Sequence, residues 1–491
     1  MAVAKYWDNN QKKYIPVGYA PYMNNYIEYG VKFTIGDSSP ERSRVIRING
    51  VIQSWDINYT PNYNGEINDN PFDKIDLFSP EVWYDQFGNK FARFSKFYVG
   101  RQIIGSEEYH WVCKAPVQSY YRLPKSFKDY KADGTEWDYV DIGCYKASEE
   151  SVSNQTYLAS KPDQFPAHNN SRTNFYNKAK ALNERAGDTG KEKYLILTAS
   201  DYCEILTPLV EIMLGTVNTQ RKYAGVTELN GAERNIVAMS ADGDNTILYY
   251  SANPGSGHKT GCVIALNSSS DSSNYRSVVA DGTVTGSVSG NTFVASDDGS
   301  TYYSVTVEGS VDSSVSKTQA RPIKTGSTDG LLATSGTFGA SGSNGTKDFK
   351  LFNIEGLWGN IWDSILNVVM YDHVPYVCKD LNNWVDTSSP NTNTNYEEVG
   401  YTCANEDGYV KEMGFDNNHA DVQFTTKVGG TSNTFYSDYY YQSSGARTVF
   451  AGGHLNNWSV AGLFAFYLGS GVGSSDWSVG ARLSHRALKG V

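Results

Sequence analysis

Alternation of apolar and polar positions dominates the first third of the chain. The peptides Val31-Lys32-Phe33-Thr34-Ile35 and Ser43-Arg44-Val45-Ile46-Arg47-Ile48 largely alternate, which predicts half-buried strands. Breaks rich in Asn and Gly, such as Asn62-Tyr63-Asn64-Gly65, punctuate them as turns. Residues 1–90 therefore read as a β-rich amino-terminal region, either a small β domain or an extended arm. Denser strand patterns follow at 91–99, 109–113 and 139–145.

The period then changes. Over 171–185, Phe175, Ala179 and Leu182 recur at helical spacing behind Ser171, a residue type that caps helices. A second helix is predicted over 198–215. Its Tyr202, Ile205, Leu206, Leu209, Val210, Ile212 and Met213 form the wide apolar stripe of a buried helix. Pro208 conflicts with a helix interior, so it either kinks the helix or marks a first turn. From 256 to 346 the composition shifts to Ser, Gly, Thr, Asp and Val. Alternation persists at 284–288 and 301–308, and Asp281-Gly282, Ser289-Gly290 and Asp298-Gly299 supply turn signals. This predicts a small all-β insertion over 256–346 that ends in a Gly/Ser loop at 325–346. The aromatic-rich pattern resumes at 347 and continues to 491.

Composition narrows the function. The 491 residues include 36 Tyr, 20 Phe, 10 Trp and 46 Gly. Tyrosine buries a ring and keeps a wet hydroxyl, which suits β-rich cores and contact surfaces. The formal net charge is -11, with no cluster of Lys and Arg, so a nucleic-acid partner is not expected. No run of 18 apolar residues is present, so no membrane insertion is expected. Residues 1–8 lack the apolar core of a secretion signal. The cysteines Cys113, Cys144, Cys203, Cys262, Cys378 and Cys403 form no CxxC pair, which speaks against zinc and redox motifs. Their even number permits disulfides, but free thiols are the expectation for a cytosol-made chain.

The peptide Ile354-Glu355-Gly356-Leu357-Trp358-Gly359-Asn360-Ile361-Trp362-Asp363 stands out. It resembles the Gly-Asn-(Ile/Val)-Trp-Glu signature of the C-type-lectin-like fold, with Asp363 where that signature has Glu. Formylglycine-generating enzymes and the target proteins of diversity-generating retroelements use this fold. Residues 211–220 look like the helix-to-loop segment of phage-encoded members. Ser95-Lys96-Phe97-Tyr98-Val99 followed by His110-Trp111 looks like their Pro-Lys-Phe-Tyr and Trp strands, with Ser95 in place of Pro. Residues 447–483 look like their carboxy-terminal variable region, with Gly452-Gly453, Ala461-Gly462-Leu463-Phe464 and Val479-Gly480-Ala481-Arg482-Leu483 at matching intervals.

The resemblance covers 91–255 and 347–491. It implies an α+β fold, a C-type-lectin-like domain interrupted by the all-β insertion and preceded by the β-rich region. It also implies a phage tropism determinant, a receptor-binding protein at the tip of a tail fibre. Such a protein is made in the bacterial host cytoplasm and carried on the virion as a homotrimer. Residues 1–90 would attach it to other virion proteins. No coiled-coil heptads independently support a trimer.

Between the scaffold positions of 452–483 stand His454, Asn456, Asn457, Trp458, Ser459, Tyr467, Gly469, Ser470, Ser474, Asp476 and Ser478, with no shared period. Rigid aromatics beside small hydrogen-bonding side chains are paratope chemistry, so these are the candidate ligand-binding residues. In the family, adenine mutagenesis of Asn-type codons scatters such residues over such sites. Leu463, Phe464, Trp477, Val479 and Leu483 are expected to form the core beneath them. Gly469 and Ser474 equally fit turns, and Trp458 and Tyr467 equally fit half-buried packing. Upstream, Tyr439, Tyr440 and Tyr441 cannot all face one side of a strand, so at least one is expected to be exposed. The stretch 355–362 fits a tight turn under a packed core, with Asn360 satisfying buried backbone groups.

Enzymatic readings find little support. Formylglycine-generating chemistry uses a cysteine pair that binds copper, and residues 405–491 contain no cysteine. The chain has no GxSxG, HExxH or P-loop motif, and none of its His residues pair at i, i+4. A tail depolymerase needs two carboxylates on a saccharide cleft, and no β-helix repeat is visible to host them. Asp297-Asp298 and the stretch 416–421 are oxygen clusters without EF-hand spacing, and read as solvated loops. No cofactor is expected. The expected function is noncatalytic recognition of a bacterial surface receptor, either protein or glycan. The alternative is a structural head-fibre or decoration protein of the virion.

Overall fold

The computed structural model describes residues 5–8, 13–16, 26–57, 71–131, 134–187, 192–337 and 346–490. The turn expected at 62–65 lies outside them. Strand occupies 39% and helix 13%, in several sheets, so the fold is β-rich and compatible with the α+β class.

The first alternating segments become strands by pairing with later ones. An antiparallel six-stranded sheet has the order Tyr121–Arg122, Tyr98–Ile104, Glu107–Cys113, Glu28–Thr34, Ser43–Ile48, Val51–Ser54. Glu28–Thr34 pairs with Glu107–Cys113 from Tyr29 opposite Val112 to Thr34 opposite Glu107. Residues 28–54 are therefore continuous with the sheet that follows rather than an extended arm. Ser43–Ile48 turns Val45 and Arg47 inward, and the buried Arg47 is neutralised by Glu28 at 2.8 Å.

The single strand signal at 91–99 is two strands rather than one. Lys90–Ser95 and Tyr98–Ile104 lie in different sheets. The chain crosses between them at Lys96-Phe97, where the buried Phe97 packs edge-on against Phe127. Lys90–Ser95 belongs to a five-stranded sheet in the order Glu192–Ile196, Leu483–Ala487, Tyr139–Gly143, Lys90–Ser95, Glu81–Tyr84. The late strand Leu483–Ala487 thus lies inside a sheet otherwise built from early ones.

The first helix, Arg172–Arg185, is capped as its sequence predicts: the Asn174 N–H donates to the Ser171 hydroxyl at 3.2 Å. It buries Phe175, Ala179 and Leu182, the expected face. The second begins as a π turn over Asp201–Leu206 and continues as α-helix over Thr207–Leu214. The Thr207 N–H donates to the Tyr202 carbonyl, five residues back. Pro208 falls in the first α turn, where a missing N–H costs little.

The Ser/Gly/Thr-rich region forms its own sheet around Leu248, Tyr250, Ile264, Val305 and Val307. That sheet runs from Arg234–Asn235 to Lys317–Arg321 in sequence and takes in Ala238–Asp242 and Asn245–Tyr250, ahead of the composition shift at 256. A nine-stranded sheet closes the fold. Its central strand Trp362–Tyr371 pairs with Val374–Cys378 and Ala446–Ala451, and Phe466–Leu468, Tyr439–Gln442 and Gly408–Met413 follow outward. All six cysteines are buried and none is in a disulfide. Among the described residues, no helix is long and apolar enough to cross a membrane.

Candidate functional site

The peptide 354–363 is a junction. Gly359 has φ +81°, and a Cβ there would approach the Val226 carbonyl oxygen to 2.9 Å, so only glycine fits the turn. Asn360 meets the backbone of Ile323 on both sides: its Oδ1 accepts the Ile323 N–H at 2.8 Å and its Nδ2 donates to the Ile323 carbonyl at 3.1 Å. The Trp358 indole N–H donates to the Tyr223 carbonyl at 2.8 Å. Glu355 accepts from the Gly326 and Thr328 N–H groups and from the Ser327 and Thr328 hydroxyls. The turn therefore ties the chain on both sides of the insertion to the nine-stranded sheet.

Trp362 leads from this turn into the candidate binding segment. It is buried, and its N–H donates to the Ser478 carbonyl at 3.0 Å. Its ring lies 6.2 Å from His454 and 5.8 Å from Tyr467. His454 in turn meets Trp477 edge-on at 5.8 Å. His454 and Tyr467, 13 positions apart in the variable-like segment, thus meet at one indole, and Ser478 meets its backbone.

The predicted positions divide by environment. His454 points inward; burial lowers its pKa to about 4, so it is neutral between its aromatic neighbours. The Asn457 side-chain oxygen accepts the His454 N–H at 2.7 Å and closes the turn. Trp458 is 49% exposed at φ +52°, with its backbone N–H on the Thr227 carbonyl at 2.9 Å and its indole N–H on Asn456 Oδ1 at 3.1 Å. Asn456 and Ser459 are exposed. Tyr467 is half-buried, and its hydroxyl lies where a Cβ on Gly469 would clash. The Ser470 carbonyl accepts the Thr448 N–H at 3.1 Å, and the Ser474 N–H turns back to the Gly471 carbonyl at 3.2 Å. Exposed Asp476 holds Ser478 through both its N–H (2.8 Å) and its hydroxyl (2.7 Å). Leu463, Phe464, Val479 and Leu483 are buried, whereas Trp477 is half-buried against the insertion core with Arg321 over its ring at 4.6 Å.

The insertion core and the chain that precedes it both support this segment. Leu455 joins the insertion core, and its carbonyl accepts the Leu229 N–H at 2.8 Å. The Asp476 carbonyl accepts the Asn169 N–H at 3.0 Å. Sequence spacing carries no sign of these contacts. Of the three consecutive tyrosines, Tyr440 is buried while Tyr439 and Tyr441 are half-buried. Tyr409, which the sequence did not single out, stands 5.1 Å from Tyr439.

A cleft of about 290 Å³ lies elsewhere, bordered by Phe33, Arg101, His110, Lys411, Phe415 and Tyr436, and no predicted ligand-binding residue lines it. Several of the charges around it are paired. His110 lies 2.9 Å from Glu108 and 2.7 Å from Glu211, and Arg42 lies 3.0 Å from Glu211. Burial alone would lower the His110 pKa, but the two carboxylates outweigh it and raise it to about 9. Burial opposes ionisation of Glu108 as well, yet His110 and Arg101 draw it down to about 2. Asp416 accepts the Gly400 and Asn418 N–H groups, and Asp421 pairs with Lys125 at 3.2 Å. Among the described residues, no group of His, Cys, Asp and Glu is arranged to hold a metal ion. No known family model matches the chain, and no curated protein matches it.

Proposed function

We propose that this chain is a virion receptor-binding protein that recognises a bacterial surface ligand, without catalysis, through the face built from residues 454–478. The observation that carries the reading is the convergence of His454, Tyr467 and Ser478 on Trp362. The peptide that resembles the lectin-like signature is thus the floor of the segment that resembles its variable region. This supports a C-type-lectin-like frame. On that frame Trp458 and Tyr467 supply contact area, and Asn456, Ser470 and Asp476 supply directional hydrogen bonds. Weak single-site affinity would be raised by a homotrimer through effective concentration.

The test is binding of the labelled, purified chain to intact candidate host cells. Wild type is compared with a Trp458→Ala/Tyr467→Ala/Asp476→Ala variant whose melting temperature is unchanged. Loss of binding in the variant alone supports the assignment. Equal binding by both overturns the site. Binding by neither, across the host range, favours a structural head-fibre or decoration role.

A further inference from the structure

Tyr439–Gln442 places its tyrosines alternately on two faces. Tyr440 is fully buried, and Tyr439 and Tyr441 stand half-buried on the opposite face. Tyr439 lies opposite Tyr409 on the antiparallel neighbour, and Tyr441 lies beside Tyr467 on the parallel one. The ring centroids of Tyr409, Tyr439, Tyr441 and Tyr467 follow one another at 5.1, 4.6 and 5.7 Å. Four tyrosines therefore form a ladder across three strands, and its last rung is a predicted variable position. Toward the middle of the sheet, Leu366 and Val369 are buried in one cluster with Phe175 and Tyr176 of the first helix. The four ladder tyrosines stay half-buried, Tyr467 at the margin of that cluster.

The chemistry of the ladder selects its ligand. Two of the charges near the ladder are opposite in sign and each meets a backbone group. Asp407 accepts the Gln442 N–H at 2.9 Å, and the Arg447 Nε donates to the Ser444 carbonyl at 2.7 Å. Among the described residues from 362 to 490, the exposed large apolar side chains are Val385 and Trp458. The fully buried core of a protein interface is more apolar than a row of half-buried tyrosines with their hydroxyls. What remains is a row of aromatic rings with hydroxyl handles, beside Ser443, Gly469 and Ser470. Such rings pack on the C–H faces of pyranoses, while hydroxyls, serines and backbone amides meet the sugar hydroxyls.

We propose that the Tyr409–Tyr439–Tyr441–Tyr467 ladder is a fixed platform for a polysaccharide chain, which it leads across the strands to the 454–478 segment. This rests on the receptor-binding reading and names the ligand class of the same face. The platform would hold the polymer, and the changeable positions would choose among polymers.

The experiment uses the full chain and cells that bind it. One sample of cells is treated with periodate, which cleaves vicinal diols of glycans, and another with protease. Binding is also measured for Tyr439→Ser/Tyr441→Ser and for Tyr439→Phe/Tyr441→Phe, each checked for an unchanged melting temperature. The expected result is loss of binding after periodate but not after protease. The serine pair should weaken binding about tenfold through two lost aromatic contacts, while the phenylalanine pair stays within about threefold. Loss after protease alone overturns the glycan assignment and leaves the receptor-binding reading standing. Full binding by the serine pair overturns the ladder as the platform. Failure of the untreated chain to bind any cell removes both readings.

Discussion

The ring of Trp362 lies 5.8 Å from that of Tyr467, and Phe450 stacks on Tyr467 at 6.3 Å. Trp362 is 4% exposed, so its side chain is packing rather than contact surface. Trp362→Ala should cost about 3–5 kcal/mol of unfolding free energy, the usual loss for a buried Trp. Urea unfolding measures it. A loss below about 1 kcal/mol would show that the binding segment does not depend on this floor.

Asp348 is buried beneath the same junction. Burial, then the charge of Glu355, raises its pKa from 3.8 to about 8. The folded state thus holds this proton more tightly than the unfolded chain. The contribution of Asp348 to stability is complete below 3.8 and is lost as pH rises through about 8. Asp348→Asn stays neutral and still accepts the Phe349 N–H that Asp348 Oδ1 takes at 2.9 Å. The variant should exceed wild type in stability at alkaline pH and match it near 3.8. Melting temperatures across that range would refute the idea if the two curves ran parallel.

The His110 network has the opposite partner chemistry. Its imidazolium is stabilised by carboxylates, so its contribution is complete below 6.5 and is lost as pH rises through about 9. Glu108 bounds the window on the acid side: its contribution is complete above 4.5 and is lost as pH falls through about 2. His110→Asn should therefore destabilise the chain near neutral pH, and the deficit should shrink above about 9. Denaturant titrations at several pH values test this; a deficit independent of pH would mean that His110 acts through packing alone.

Gly462 and Asp438 are coupled by space. A Cβ on Gly462 would fall 2.2 Å from Asp438 Oδ1, while Asp438 Oδ2 accepts the Phe464 N–H at 2.7 Å. Gly462→Ala should destabilise by about 1–3 kcal/mol through overpacking. Adding Asp438→Ser, which frees the space, should recover part of that loss. Purely additive effects in a double-mutant cycle would rule out the coupling.

Local rules made some of this fold legible. Ser171, Phe175, Ala179 and Leu182 carry a helix in their spacing, and period two is enough to put Tyr440 on the face opposite Tyr439 and Tyr441. Other features depend on partners far along the chain. The break at Lys96-Phe97 was hidden because strand-favouring aromatics stand on both sides of it while the sheet changes. The π turn before Pro208 has no period of its own. His454 looked like a contact residue because nothing near it in sequence indicates that Trp362 and Trp477 surround it. The ladder was partly visible: Tyr439 and Tyr441 stand in the tyrosine run and Tyr467 among the candidate positions, but Tyr409 joins only through strand pairing.

The strand Leu483–Ala487 runs between Tyr139–Gly143 and Glu192–Ile196, and Asp141 and His485 meet across 344 positions of chain. During synthesis both neighbours emerge long before the strand that separates them. Until it arrives they present bare edges, each able to capture a foreign strand. Closing so distant a pairing is slow, so the nascent chain passes through an interval of exposure to aggregation. Yield in a recombinant host should accordingly depend on chaperone supply and growth temperature more than on the stability of the finished fold.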